Sequence, residues 1–95
     1  MIVLLNEIIT EGLGIFILFL IIFSNIKKTY IPIIIAIVLF LILYFTIGTS
    51  KGHYNSTISF AKYIEGDLSL NQFLGYNIGQ ICGSLGAIYI RAIMI

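Results

Sequence analysis

Three long apolar segments, separated by shorter polar stretches, make up most of the chain. They run roughly over residues 7–24, 31–48 and 70–90. At about 1.5 Å of rise per residue, helices of these lengths measure about 27–32 Å, close to the roughly 30 Å of a hydrocarbon core. Their polarity does not alternate as it does in short β-barrel strands. The pattern therefore predicts an all-α membrane protein with three transmembrane helices.

The stretch between the second and third segments, residues 49–69, fits neither a span nor a solvated loop. It begins with polar, turn-prone residues and becomes apolar from Ile58 onwards. Asn55 is a favourable N-cap, and Gly66 suits the position just after a helix. A helix over residues 55–64 would be about 15 Å long, half the thickness of the core. We therefore predict a re-entrant half-helix, whose non-helical entrance must be covered by protein or line a cavity.

The composition makes lipid the expected solvent of these helices. Hydrophobic residues are 60% of the chain, charged residues are 9%, and the mean hydropathy is +1.13. A soluble domain of this size buries only about 60% of its surface, too little to hide so many apolar side chains.

The net charge of +1 offers no basic surface for nucleic acid. Cys82 is the single cysteine, so an internal disulfide is excluded, and its apolar neighbours predict a packed, unreactive thiol.

Three short motifs resemble those of a known family. The sequence GHYNSTISFA at residues 52–61 resembles G-H-x-N-P-A-x-S-x-A, the first re-entrant loop of the aquaporin/glycerol-facilitator (major intrinsic protein) family. EGLGI at residues 11–15 resembles E-x-x-G-T of its first helix, and YNIGQICG at residues 76–83 resembles Y-x-x-A-Q-x-x-G of its third. The resemblance is to the first repeat only. It implies a half-aquaporin repeat of three spans and one re-entrant half-helix.

The resemblance gives Asn55 the main functional role. The corresponding asparagine of the family caps the half-helix and points its amide at the centre of the pore. Its oxygen satisfies helix N–H groups, which leaves the NH₂ to donate to a permeating water or hydroxyl. The positive helix end beside it disfavours protons and cations. A plain N-cap without a pore is the alternative, because capping alone also selects asparagine.

The chain departs from the family pattern close to this asparagine. Ser56 and Thr57 replace Pro-Ala, and the loss of proline from the first helical position is expected to loosen the turn. Ile58 occupies the place of the family's filter arginine. The filter aromatic expected on the second span falls near Ile35 or Ala36, neither of which is aromatic.

Glu11, about one turn into the first span, is the expected support of the loop. A carboxylate in lipid is costly unless it is paired or protonated. The family's glutamate accepts hydrogen bonds from the loop backbone, and we favour that role over proton transfer, with Gln80 as a further support.

Glu7 lies nearer the interface and is expected to be solvated. His53 is expected to be a packed, hydrogen-bonded loop residue; a pH gate is the alternative, and a single histidine gives little indication of a metal site.

Small residues recur every four positions along the third span, at Gly75, Gly79, Gly83 and Ala87. Such a face allows close helix contact in lipid. The resemblance implies that this face packs inside the bundle, together with Gly14 of the first-helix motif. An oligomer contact is the alternative.

Two classes of function remain open for this multi-pass integral membrane protein. The first is a half-channel in the lipid bilayer that needs a second, inverted copy, as in an antiparallel homo-oligomer, to form a pore for water or small neutral solutes. The second is a non-conducting structural protein that packs with other subunits in a larger membrane or virion assembly. No nucleophile–base pair, phosphate loop, metal site or cofactor motif appears, so we expect no enzyme.

Overall fold

The computed structural model of the protein describes residues 2–24 and 26–94. Within these residues it contains four α-helices and no strand, which confirms the all-helical prediction. The helices are α1 (Ile2–Ile22), α2 (Ile31–Thr46), α3 (Ser56–Glu65) and α4 (Leu70–Met94). Relative to the predicted spans, α1 begins earlier, α2 ends slightly earlier, and α4 continues further.

Among the described helices, only α1 is both long enough and apolar enough to cross a membrane by length and composition. The apolar helix α2 has 16 residues. The longest helix, α4, has 25 residues but includes polar side chains such as Tyr76 and Gln80, which are buried against the rest of the chain. By length and composition, therefore, α1 is the one membrane span identified among the described helices.

The backbones of α1 and α4 touch through glycines, and this is the most extensive helix contact. A Cβ atom added at Gly12 would lie 2.8 Å from the carbonyl oxygen of Gly79, and one at Gly79 would lie 2.5 Å from that of Ile8. Gly83 meets the backbone of Gly12 in the same way, and Gly75 faces the side chain of Ile8. Small residues therefore set the distance between the two helices, as they do in helix pairs that pack in lipid.

Cys82 lies beside this line of glycines and is exposed. It borders an apolar groove lined by residues of both α1 and α4. The prediction of a packed thiol was therefore wrong, because Cys82 lies at the open edge of the α1–α4 contact and remains exposed.

The other two helices each pack against one helix of this pair. Among the described helices, α2 contacts only α1, and α3 contacts only α4. The side-chain oxygen of Asn55 accepts the backbone N–H of Thr57 at 2.8 Å, which caps the first turn of α3. Gly66 ends the helix in the left-handed conformation, with φ of 92°, as glycine does at a C-cap. Because α3 has 10 residues, it is only about 15 Å long.

Many apolar side chains lie on the surface and several polar ones lie inside, the opposite of the usual distribution in soluble proteins. Large apolar side chains on every helix are exposed, while several charged or polar side chains are buried. The buried polar residues are Glu7, Glu11, Ser50, His53, Ser59 and Gln80. This arrangement suits a surface in contact with lipid and a polar interior.

Candidate functional site

The entry loop, residues 47–55, joins α2 to α3. Two of its residues have left-handed backbone conformations: Gly52 with φ of 70° and Tyr54 with φ of 48°. Tyrosine rarely adopts such a conformation, and it persists only where the surroundings hold it. The backbone N–H groups of Thr49 and Ser50 still donate to the Thr46 carbonyl at the end of α2. The residues from Lys51 to Tyr54 make no such bonds, so their N–H groups need other acceptors.

Glu11 of α1 accepts two of these loop N–H groups. Its carboxylate is fully buried and accepts the backbone N–H of Tyr54 at 2.8 Å and that of His53 at 3.2 Å. The hydroxyl of Ser50 and the side-chain amide of Gln80 also donate to it, at 2.8 and 3.1 Å. Four donors therefore converge on this one buried carboxylate, two of them from the loop backbone.

A second set of acceptors holds the start of the same segment. The backbone N–H of Gly52 donates to the hydroxyl of Ser50 at 3.1 Å, and that of Lys51 donates to the hydroxyl of Tyr76 at 3.3 Å. The Tyr76 hydroxyl in turn donates to Glu7 at 2.7 Å. Together with the bonds to Glu11, these contacts give an acceptor to the backbone N–H of four consecutive loop residues.

Gln80 of α4 connects the carboxylate to α3. Its Nε2 donates to Glu11 at 3.1 Å and to Ser59 Oγ at 3.2 Å, while its Oε1 accepts from Ser56 Oγ at 3.0 Å. Ser59 Oγ also bonds Nδ1 of His53 at 2.9 Å. The serine that replaces the family's proline therefore ties the first turn of α3 to α4. No buried side-chain nitrogen or oxygen among the described residues lacks a partner.

His53 acts in this network as a buried loop residue. Burial lowers the pKa of its imidazole, the Glu11 carboxylate opposes that shift, and the charges of Lys51 and Lys62 add to it. A neutral ring keeps one nitrogen able to accept, in agreement with its bond to Ser59. Within residues 2–24 and 26–94, no group of three or more His, Cys, Asp or Glu side chains could hold a metal ion.

Tyr54 joins the loop to both α1 and α2. Its hydroxyl lies 2.6 Å from Oγ1 of Thr46, at the end of α2. Its ring lies against Gly14, where any side chain would collide with it. Gly14 was assigned to helix packing, and the three atoms nearest to a Cβ built there belong to the Tyr54 ring.

A cleft of about 440 Å³ opens beside the start of α3. Its apolar lining consists of Ile15, Leu18, Phe19 and Ile22 of α1 together with Ile81 of α4. Its polar side consists of Asn55, Ser56, Gln80 and Ser84. Because the Asn55 oxygen already accepts the Thr57 N–H, the Asn55 NH₂ is the group left to donate, and no described residue accepts from it. Thr57 itself is exposed and does not line the cleft.

Several residues of this network were missed in the sequence, and one was assigned wrongly. No role was predicted for Ser50, Tyr54, Ser59 or Tyr76, although Ser59 and Tyr76 stand at fixed positions of the loop and third-helix motifs. Glu7 was expected to be solvated, but it is 8% exposed and hydrogen-bonded to Tyr76. The signal that could have found it is spacing, because Glu7 precedes Glu11 by four residues, as Tyr76 precedes Gln80, and such pairs share a helix face.

Comparisons with known proteins agree on one family. The chain matches the family model described as Major intrinsic protein over residues 2–95. It is 35% identical over 57 residues to aquaporin PIP2-7 of Arabidopsis thaliana, a match that covers 59% of this chain and 20% of that protein. The chain therefore matches about a fifth of the length of this curated relative. No solved structure gives a significant match. The family match confirms the resemblance carried by the three motifs.

Proposed function

Because this chain belongs to the major intrinsic protein family, whose members are integral membrane channels, we propose that it forms one half of a pore for water or small neutral solutes. The observation that carries the proposal is the cleft beside α3. There the NH₂ of Asn55 stands as a free donor opposite an apolar wall from α1. A pore that passes neutral hydrogen-bonding molecules needs both features, donors to replace water and apolar surface that binds nothing tightly.

In this proposal α1, α2 and α4 cross the bilayer, over about residues 7–24, 31–48 and 70–90, and α3 reaches only its middle. The 25 residues of α4 measure about 38 Å, and the 16 residues of α2 measure about 24 Å before the turns at its ends are counted. The exposed apolar side chains on these helices support contact with lipid. The buried hydrogen bonds of the entry loop support a position at membrane depth, where unpaired backbone groups are very costly.

The second half of the pore is a second copy of this repeat in inverted orientation. The described helices line the cleft from one side, and Asn55 and Ser56 are exposed there. Exposed polar side chains and N–H groups at a helix start are unfavourable in lipid, so protein or water must cover them. An inverted copy brings a second Asn55 to face the first, as in transport folds built from inverted repeats. Other membrane subunits are the alternative source of the opposite wall.

An antiparallel pair requires the chain to insert in both orientations. The lysines and arginine divide almost evenly between the two sides of the proposed spans, which gives little orienting bias. We therefore expect accessibility mapping of cysteines placed at either terminus, in a Cys82→Ser background, to find each terminus on both sides. A single fixed orientation would exclude the antiparallel pair while leaving open a pore completed by other subunits.

Structural packing without conduction is the second candidate function. Ile58, in the place of the filter arginine, is 45% exposed and does not line the cleft. The hydrogen bonds of Glu11 and Gln80 also account for both residues as loop supports without a pore. Without a filter arginine or aromatic residue we expect weak flux of water or small polyols rather than fast, water-only flux.

Osmotic swelling of proteoliposomes tests conduction directly. We expect Asn55→Ala to abolish the flux of the purified protein, because it removes both the free donor of the cleft and the cap of α3. Asn71→Ala is the matched control, since Asn71 is exposed at the start of α4 and should leave the flux unchanged, as should Lys27→Ala. No flux from a folded, reconstituted wild-type protein would favour the structural role. Unaltered flux in Asn55→Ala would place the pore elsewhere.

A further inference from the structure

Glu7 is a buried carboxylate that the proposed pore does not use. It lies one helical turn before Glu11 on the same side of α1 and does not line the cleft. Its Oε1 accepts from the Tyr76 hydroxyl at 2.7 Å, and Gln72 Nε2 makes longer contacts of 3.4 Å. None of the described lysines or arginines forms an ion pair with it. A buried carboxylate without a cation is unfavourable, so Glu7 depends on these few hydrogen bonds.

Tyr76 transmits the effect of Glu7 to the entry loop. The Tyr76 side chain is fully buried, and its phenol has a single hydrogen to donate. That hydrogen is donated to Oε1 of Glu7, 2.7 Å away. The lone pairs of the phenol oxygen are then left for the backbone N–H of Lys51, which lies 3.3 Å away.

We infer that Glu7 is a positioning residue for the entry loop. It orients the Tyr76 hydroxyl so that this oxygen accepts the Lys51 N–H, at the start of the segment whose end Glu11 holds through His53 and Tyr54. Two carboxylates one turn apart on α1 thereby fix both ends of the segment. Where the inference concerns flux it rests on the proposed function, because this loop presents Asn55 to the cleft.

Two substitutions separate hydrogen bonding from packing and from charge. Glu7→Leu keeps a side chain of similar size and removes the acceptor, whereas Glu7→Gln keeps an acceptor oxygen and removes the charge. We expect Glu7→Leu to raise the hydrogen-exchange rate of the Lys51 amide about tenfold, as the loss of one buried hydrogen bond would. The amides of His53 and Tyr54 should exchange as in the wild type, and Glu7→Gln should restore slow exchange at Lys51.

Swelling of proteoliposomes made with the same variants gives the second readout. Flux should fall with Glu7→Leu and recover with Glu7→Gln. Tyr76→Phe should reproduce the faster Lys51 exchange of Glu7→Leu, and it provides the measurement if Glu7→Leu does not fold. If both Glu7 variants exchange like the wild type, the residue only fills space, and if both exchange equally fast, its charge matters instead of its acceptor; either result overturns the inference. A wild type without flux, but with the expected pattern at Lys51, would refute the pore and leave the positioning role intact.

Discussion

Glu11→Leu is expected to lower the free energy of unfolding by about 1–3 kcal/mol for each buried backbone N–H that it leaves without an acceptor. Those groups are the N–H groups of His53 and Tyr54, which both donate to this carboxylate. The side chains of Ser50 and Gln80 also lose an acceptor, but they can rotate towards other partners. The loop backbone cannot, because the left-handed conformation of Tyr54 fixes where its N–H points. Thermal and denaturant unfolding in detergent measures the loss.

The same substitution at Glu65 is the matched control. Glu65 ends α3, its side chain is 57% exposed, and its contact with Lys62 at 3.4 Å is a surface ion pair. Such pairs contribute about 0–1 kcal/mol, so Glu65→Leu should change stability little. The stability of Glu11→Gln should lie between those of Glu11→Leu and Glu65→Leu. Glutamine retains one acceptor oxygen but turns an NH₂ towards the loop donors. Equal stability of Glu11→Leu and the wild type would show that the loop does not depend on this carboxylate.

The ends of α3 follow from residues next to them in the sequence. Asn55 accepts the N–H of Thr57, and Gly66 takes the left-handed conformation at the other end. Both contacts join residues close in the chain, so local rules for caps are sufficient to anticipate them. The all-helical fold is accessible for the same reason, since the length and polarity of each segment are local properties.

Local spacing places Glu7 on the same face of α1 as Glu11, but it does not identify the partner of Glu7. Its partner Tyr76 lies on another helix, and only the close approach of α1 and α4 brings the two side chains together. The role of Ser50 was missed for a similar reason, because a serine in a loop carries no sign of which distant acceptor it will meet. Ser59 did carry a signal, since it stands at the serine of the loop motif. Sequence periodicity identifies which face of a helix is buried, but it does not identify what covers that face.

Gly14 and Gly79 show that predicting a contact face of a helix differs from predicting which group packs against it. The four-residue spacing that includes Gly79 marks a contact face, and the structure brings this face against α1. Gly14 belongs to no such repeat, and its lack of a side chain leaves room for an aromatic ring from the entry loop. A glycine in a sequence indicates close approach, while the approaching group is decided by the three-dimensional arrangement.

Gly79→Val should separate α1 from α4 and destabilise the protein by about 3 kcal/mol, near the upper end for overpacked sites. A Cβ at Gly79 would lie 2.5 Å from the carbonyl oxygen of Ile8. Since this atom belongs to the backbone of α1, no side-chain rotation relieves the collision, and the helices must move apart. Separation lengthens the bond from Gln80 to Glu11, now 3.1 Å. The variant should therefore unfold at lower temperature in detergent and lose loop protection in hydrogen exchange.

Gly48→Val provides the matched control for this last prediction. Gly48 follows α2, and a Cβ built there meets no atom within 4 Å, so the same change of residue should be tolerated. A valine at Gly79 also gains helix propensity over glycine, but that gain is below about 1 kcal/mol and too small to offset a backbone collision. If Gly79→Val were as stable as Gly48→Val, the close approach of α1 and α4 would not be what holds Gln80 against Glu11. The loop would then need another source of its rigidity.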